Sequence, residues 1–468
     1  MENIQQQVRQ LFQEGAALLQ AGNPAGALGR FRVALEMDDS SGVLNLYAGA
    51  ALHELGRFEE AATAYRTALK IVPNLGEAHN NLGNSLMALG HFAAAVTSFS
   101  RASELMPTSA VPLTARATAL QALGMVVEAE ADCRRALAID PTFAEAHWNL
   151  SLNLLLKGDY LAGWQEYEWR WLRPTFTSPR RHDDLPLWDG LPLDNRIILL
   201  HAEQGFGDAI QFARYIPQVA AHGGTVVVEC HPQLVTLLRT VVGVAAVVPF
   251  GEPPSADCHA PLLSLPRIFQ TTLENIPGQL PYLSSPPGYG EKWAPLLPRG
   301  DEMFRVGLVW GGKSYPDPLR SACLTDFVPL AHIPGVQLYS LQVGDAALQV
   351  ASPPVGMSLI DVTGQIVDFA DTAAVIEQLD LVISIDTAVA HLAGAMGKPV
   401  FVLLPLAADW RWLRGRSDSP WYPAMELFRQ RRSGEWGEVV NRVSGAVTRW
   451  CAGQKKSFGV FPKDSHWP

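Results

Sequence analysis

Hydrophobic and polar positions change their period along this chain. Through the first third, small and aromatic residues return every 34 positions. Gly15, Gly49 and Gly83 share one phase with Ala117, and Gly22, Gly56, Gly90, Gly124 and Gly158 share another. Ala27, Ala61, Ala95 and Ala129 follow, then Phe31, Tyr65, Phe99 and Cys133, then Ala34, Ala68, Ala102 and Ala136, with Pro73, Pro107 and Pro141 closing the units. Small residues at fixed spacing let two helices touch, so the pattern predicts helical hairpins that bury their apolar faces by stacking. From Arg196 the pattern becomes strand–helix alternation. It predicts strands at Ile197 to Leu200, Thr225 to Glu229 and Val244 to Val248, with helices over Asp208 to Ala221 and Pro232 to Val241. A Pro- and Gly-dense linker, Ser284 to Gly300, precedes a second series with strands at Val306 to Trp310, Val336 to Leu341, Leu381 to Ile385 and from Val400. The apolar helix Val439 to Trp450 is a candidate to cross back onto the first series.

The 34-residue phases resemble the tetratricopeptide repeat. Four repeats span residues 8–143, and Ala144 to Arg170 begins a fifth in which Gly158 and Tyr167 keep the phase. The resemblance implies a concave groove that grips an extended protein segment, so a protein or peptide acceptor is an expected partner. Asn80, Asn81, Asn84, Asn149 and Asn153 lie on first helices of repeats and can bond a peptide backbone. Each taken singly reads more simply as ordinary surface polarity. After the array, Trp164, Trp169, Trp171 and Trp188 are interleaved with Pro174, Pro179, Pro186 and Pro192, as in a semi-rigid joint that docks one domain on another.

The stretch Leu379 to Leu404, LDLVISIDTAVAHLAGAMGKPVFVLL, carries the most chemistry. Leu381 to Ile385 is a short β-branched run of the kind buried on both faces of a parallel sheet. Asp386 and Thr387 stand at its carboxyl end and can cap a small-residue helix from Ala388 to Met396, which Gly397 stops. Ligands of parallel α/β sheets bind at such turns, and helix N-termini attract phosphate there. Asp386, Thr387 and His391 are therefore candidate donor-binding residues, against the simpler reading of Asp386 as a cap and His391 as a packed helix residue. The whole string resembles the signature of the ADP-heptose heptosyltransferase group, family 9 of the glycosyltransferases. In that family this segment holds the donor's nucleotide diphosphate in a second Rossmann-like domain.

Residues 201–215, HAEQGFGDAIQFARY, allow two readings. Gly205, Gly207 and Glu229 mimic a dinucleotide fingerprint, with the acid on a ribose. Ile210 replaces the third glycine, however, and Asp208 would repel a pyrophosphate. The alternative is the Gly-Asp motif of heptosyltransferase-like enzymes. That resemblance implies Asp208 as general base, with Glu203, Gln204 and Gly207 on the acceptor side; a helix cap is the plain alternative for Asp208. In the second series, Gly311 and Gly312 can admit phosphate to the backbone. Lys313 or Arg320, followed by Ser321, can offer a cation to the leaving diphosphate. Arg320 is preferred on resemblance to the repeat-linked subgroup. Gln342 ends a strand where such folds contact the nucleotide base, and Asp409 or Arg411 can line the cleft or serve in a structural salt bridge.

The expected fold class is α + α/β: a tetratricopeptide solenoid followed by two Rossmann-like domains in the GT-B arrangement. The expected divisions are an array over 8–175, a bridge over 176–195, an acceptor domain over 196–285, a linker over 286–302, a donor domain over 303–454 and a tail over 455–468. Domain order also resembles the O-linked N-acetylglucosamine transferases. The resemblance implies a glycosyltransferase of bacterial type that uses a nucleotide-sugar substrate, inverts configuration and takes no cofactor. No Asp-x-Asp motif ends a strand, so no metal is expected. A nucleotide-binding scaffold without catalysis and an NAD(P)-dependent oxidoreductase are the rival readings.

Composition narrows this further. A chain of 468 residues with 48% hydrophobic positions exceeds one compact core. Acidic residues outnumber basic ones, 46 to 36, which disfavours a sequence-independent nucleic-acid binder. The start MENIQQQVRQLF has no secretory pattern, and the apolar runs are too short to span a bilayer. Five scattered cysteines form no CxxC pair, so a reduced cytoplasmic protein is expected.

Overall fold

The computed structural model describes residues 2–251, 255–298, 303–313 and 318–453. It divides into two compact units, Met1–Leu154 and Leu155–Pro468. The expected tail, 455–468, and part of the expected linker lie outside the described residues.

The first unit is a stack of helical hairpins. These are α1 (Glu2–Gln20) with α2 (Pro24–Met37), α3 (Gly42–Glu54) with α4 (Phe58–Ile71), α5 (Gly76–Ala88) with α6 (Phe92–Leu105), and α7 (Val111–Ala122) with α8 (Val126–Ile139). Each hairpin turns on a glycine of one phase, Gly22, Gly56, Gly90 or Gly124, with φ between 71° and 74°, a left-handed conformation that a β-carbon disfavours. Phe31, Tyr65, Phe99 and Cys133 are buried between helices, as are the alanines of their flanking phases. Helix α9 (Ala144–Lys157) continues the phase across the unit boundary. Asn149 and Asn153 are buried. Asn149 donates to the Thr114 carbonyl at 3.3 Å and the Thr118 hydroxyl at 2.9 Å, fastening α9 to α7. Asn84 is exposed and Asn81 half-buried. Asn149 thus serves as an inter-repeat fastener, since it lies where α9 meets α7.

In the second unit, α10 (Tyr160–Tyr167) and a 3-10 turn, Glu168–Leu172, precede two parallel sheets. Trp164 of α10 packs edge-on against Phe212, Trp410 and Trp421, with ring centroids 6.1, 5.2 and 6.5 Å away.

The first sheet contains β1 (Ile197–His201), β2 (Thr225–Cys230), β3 (Val244–Pro249) and β4 (Cys258–Pro261) in the order β3-β2-β1-β4. Its helices are α11 (Phe206–Phe212), α12 (Ile216–Ala220), α13 (Val235–Leu238) and α14 (Leu265–Ile268). The helix expected from Asp208 to Ala221 is broken, because Pro217 has no N–H for the Ala213 carbonyl and a 3-10 turn, Ala213–Tyr215, intervenes. β4 is only four residues long and shows no alternation, which is why the sequence pattern misses it.

The expected linker contains α15 (Tyr289–Trp293), whose Trp293 is fully buried. The second sheet contains β5 (Phe304–Val309), β6 (Val336–Ser340), β7 (Leu359–Asp361), β8 (Leu381–Ile385), β9 (Val400–Leu404) and β10 (Met425–Arg429). Their order is β10-β9-β8-β5-β6-β7, every pair parallel. Helices α16 (Val328–Ala331), α17 (Phe369–Glu377), α18 (Ala388–Ala395) and α19 (Trp436–Gly453) complete this half. Helix α19 packs on its own sheet rather than crossing back. Its stripe of Val439, Val440, Val443 and Val447 joins Val306, Leu308, Ile383 and Leu403 in one core. β5 and β8 are neighbours from opposite directions of winding, so the crevice between their carboxyl ends is the topological switch point. Among the described residues, no helix is long and apolar enough to cross a membrane.

Candidate functional site

The turns after β1, β5, β8 and β9 carry the expected chemistry, and all follow carboxyl strand ends. Helix α11, after β1, packs against α18, after β8. Gly207 permits this approach: a β-carbon there would lie 3.0 Å from His391 Cδ2 and 3.7 Å from Ala388 Cα. Its place is thus a contact between the two sheets' helices, which differs from the expected acceptor-facing role.

Asp208 acts as a cap and also reaches the cleft. Its Oδ2 accepts from the Gly205 N–H at 2.9 Å, while Oδ1 accepts from Arg411 Nη2. Arg411 follows β9, so this ion pair links the first sheet to the second. The same guanidinium donates from Nε to Gln211 Oε1 at 2.6 Å and from Nη1 to Asp409 Oδ1 at 2.8 Å, and it lies over the Trp410 ring at 4.4 Å. Burial opposes its charge, but Asp409 and Asp208 outweigh this and hold its pKa above the usual value. Asp409 is pushed up by burial and by the neighbouring Asp386, against the pull of Arg411.

Asp386 does not cap α18. Thr387 takes the N-cap position without a side-chain cap bond, and its hydroxyl pairs with Ser384 Oγ at 2.9 Å. The Asp386 carboxylate lies 3.7 Å from His391 Nε2. Burial would raise its pKa, yet His391, the Trp412 indole and Arg411 together hold it below the usual carboxylate value. His391 is fixed on its other side by the Tyr422 hydroxyl, 3.0 Å from Nδ1, and is stacked on Trp412 at 5.3 Å. Asp208, Asp386, Asp409, His391 and Arg411 therefore form one half-buried node between the sheets.

The remaining predicted residues divide by environment. Gln342 is buried and fully engaged: Oε1 accepts from the Trp310 and Gly311 N–H groups at 2.9 and 2.7 Å, and Nε2 donates to the Gly311 and Val343 carbonyls. It holds the glycine loop rather than facing outward. Ser321 Oγ accepts from the Gly312 N–H at 3.1 Å, and Arg320 turns back to donate to the Lys313 carbonyl at 3.1 Å. Lys313 is exposed. After burial, its charge is the main influence that lowers the His231 pKa, with Asp208 opposing. Glu203 is buried in a two-toothed pair with Arg170, and Gln204 donates to the Tyr167 hydroxyl at 2.9 Å. Neither presents an open face to an acceptor. Glu229, the acid of the dinucleotide reading, is buried, accepts from the Gly251 N–H at 3.1 Å and contacts His182 Nε2 at 2.8 Å, so both its oxygens already have protein partners.

The sequence pattern passes over Gln211, Trp412 and Tyr422, and leaves Arg411 open between lining the cleft and a structural salt bridge. The available signal was the string ADWRWL directly after a core strand, since cleft residues gather at such ends.

Comparison with known proteins adds three family matches: TPR repeat over residues 49–90, tetratricopeptide repeat over 76–109, and glycosyltransferase family 9 (heptosyltransferase) over 356–404. The last contains β7, α17, β8, α18 and β9, and hence Asp386, Thr387 and His391. Protein FlbA of Caulobacter vibrioides is 28% identical over 328 residues, covering 64% of this chain and 54% of FlbA. The chain thus spans about half the length of that relative. Among solved structures, the tetratricopeptide protein TTC0263 of Thermus thermophilus is 21% identical over 34% of this chain and 88% of its own, with a TM-score of 0.31. MamA of Desulfovibrio magneticus is 18% identical over 35% and 92%, with a TM-score of 0.33. The chain joins N-terminal tetratricopeptide repeats to a parallel α/β region that carries a glycosyltransferase family 9 (heptosyltransferase) segment.

Proposed function

We infer that this protein is a glycosyltransferase that moves a sugar from a nucleotide diphosphate-sugar to a macromolecular acceptor selected by the repeat array. The observation that carries this reading is that Asp208, from the first sheet, pairs with Arg411 of the second, while the adjoining Gly207 packs on His391, which with Asp386 lies inside the family 9 segment. Asp208 takes the proton of the acceptor hydroxyl as its oxygen attacks the anomeric carbon, and the nucleoside diphosphate leaves with the bonding electron pair. The uncapped start of α18, with Asp386 and His391, is where the diphosphate lies. The Gly311–Lys313 loop, braced by Gln342, closes over it across the switch point. A single displacement with inversion, catalysis without a metal and a protein acceptor in a bacterial cytoplasm are further parts of the proposal. The engagement of Glu229 by His182 weighs against a dinucleotide site.

The test is a melting series of the full chain against nucleoside diphosphates, nucleotide sugars and NAD(P), with and without a chelator. One nucleoside diphosphate and its sugar conjugate should raise the transition of the second unit, by about 2.7 kcal/mol at a hundredfold excess over Kd. A response to NAD(P) alone would revive the oxidoreductase, and binding without any turnover would favour the scaffold.

A further inference from the structure

Arg411 pairs with one carboxylate from each sheet's turns, Asp208 after β1 and Asp409 after β9. A guanidinium has five N–H donors. Three are assigned here, to Gln211, Asp409 and Asp208. The others belong to Nη1 and Nη2, the atoms that also contact the two carboxylates. Gln211 and the Trp410 ring fix the plane of the fork, so the free N–H groups have a set direction. Asp386 follows β8 beside this group: against burial, His391 and then the Trp412 indole do most to lower its pKa, and the Arg411 charge adds to them. Neither Arg320, folded onto its own loop, nor exposed Lys313 is shared with Asp208 in this way.

We propose that Arg411 is the cation that couples Asp208 to the departing diphosphate, pairing with the carboxylate before transfer and with the phosphate oxygens as transfer proceeds. The inference rests on the glycosyl-transfer reading above. Its logic is charge balance. The acceptor O–H bond breaks and its proton passes to Asp208, which becomes neutral. The acceptor oxygen bonds to the anomeric carbon, and the sugar–phosphate bond breaks with its electron pair on the diphosphate. One negative charge thus leaves Asp208 while one appears on the leaving group. A guanidinium beside both is released from the first as the second needs it, in a half-buried setting where such contacts are strong. Protonation of the base and stabilisation of the leaving group then become one event.

The experiment is calorimetric titration of the full chain with ADP, CDP, GDP and UDP in a double-mutant cycle. Asp208→Asn imitates the protonated base and keeps an oxygen for the Gly205 N–H, so the cap survives. It should bind the accepted nucleoside diphosphate about tenfold more tightly than wild type, equivalent to about 1.4 kcal/mol. Arg411→Gln should weaken binding, and Asp208→Asn should confer no gain in that background. If Arg411→Gln does not fold, Arg411→Lys, which keeps the charge and loses the fork, takes its place and should lose most of the gain. An unchanged affinity in Asp208→Asn overturns the inference. So does an equal gain with and without Arg411, which would be simple removal of a repelling charge. Failure of wild type to bind any of the four diphosphates overturns the glycosyl-transfer reading itself, and the inference with it.

Discussion

Glu203 and Arg170 form a buried, two-toothed ion pair, with Nη2–Oε1 at 2.7 Å and Nε–Oε2 at 3.1 Å. Arg170 lies in the 3-10 turn after α10, and Glu203 follows β1, so the pair ties the Trp-rich segment to the turn that presents Asp208. Ser264 Oγ and the Tyr167 carbonyl take further Arg170 donors, and Trp171 lies under the guanidinium at 4.7 Å. Glu168 Oε1 also accepts from Arg170 Nη1 at 2.9 Å, so removing Glu203 leaves the buried guanidinium with one remaining, half-buried counter-charge. Glu203→Gln should destabilise the second unit, read from denaturant unfolding, by less than the roughly 3–5 kcal/mol of a buried charge left with no partner, because Glu168 remains. A Glu203→Gln variant as stable as wild type would show that the pair contributes nothing.

Asp371 gives a pH prediction. It accepts from Lys292 Nζ at 2.6 Å, Trp293 Nε1 at 3.1 Å and the Val367 N–H at 3.0 Å. Burial alone would raise its pKa, but these donors together lower it. An acid whose folded pKa lies below its unfolded value adds stability above the unfolded pKa, near 4, and loses it as pH falls through the folded value. The Tm gap between wild type and Asp371→Asn should therefore be constant at neutral pH and narrow below about pH 4. A gap that widens on acidification would contradict this assignment.

Gln342 offers a separate test of the glycine loop. Gln342→Leu orphans the Trp310 and Gly311 N–H groups, and each buried donor left unmet costs about 1–3 kcal/mol. The variant should unfold at lower denaturant and bind nucleoside diphosphate more weakly. Unaltered unfolding would mean that the loop holds its shape without this brace.

Much of the architecture was legible because it is periodic. The 34-residue phases locate the hairpins, and the β-branched run Leu381 to Ile385 appears as β8 with those ends. Short elements were not legible: β4 and β7 are too brief to alternate, and α15 lies in a Pro- and Gly-rich stretch that hides a buried Trp293. At the candidate site, residue identity showed which turns matter but not what each side chain meets. Glu203 follows β1 as expected, yet its partner Arg170 is remote in sequence and buries it. Arg411 joins Asp208 and Gln211 only once both sheets have folded, a pairing that no local pattern contains.

In the proposed reaction Asp208 activates an acceptor for attack on a nucleotide sugar. Its most direct measurement is release of nucleoside diphosphate from a panel of nucleotide sugars by the full chain, compared with Asp208→Asn at equal concentration. One nucleotide sugar should yield its diphosphate with wild type, and the variant should be slower by about two to four orders of magnitude while still folded. Release at the wild-type rate by Asp208→Asn, or none from any nucleotide sugar by wild type, would contradict the account.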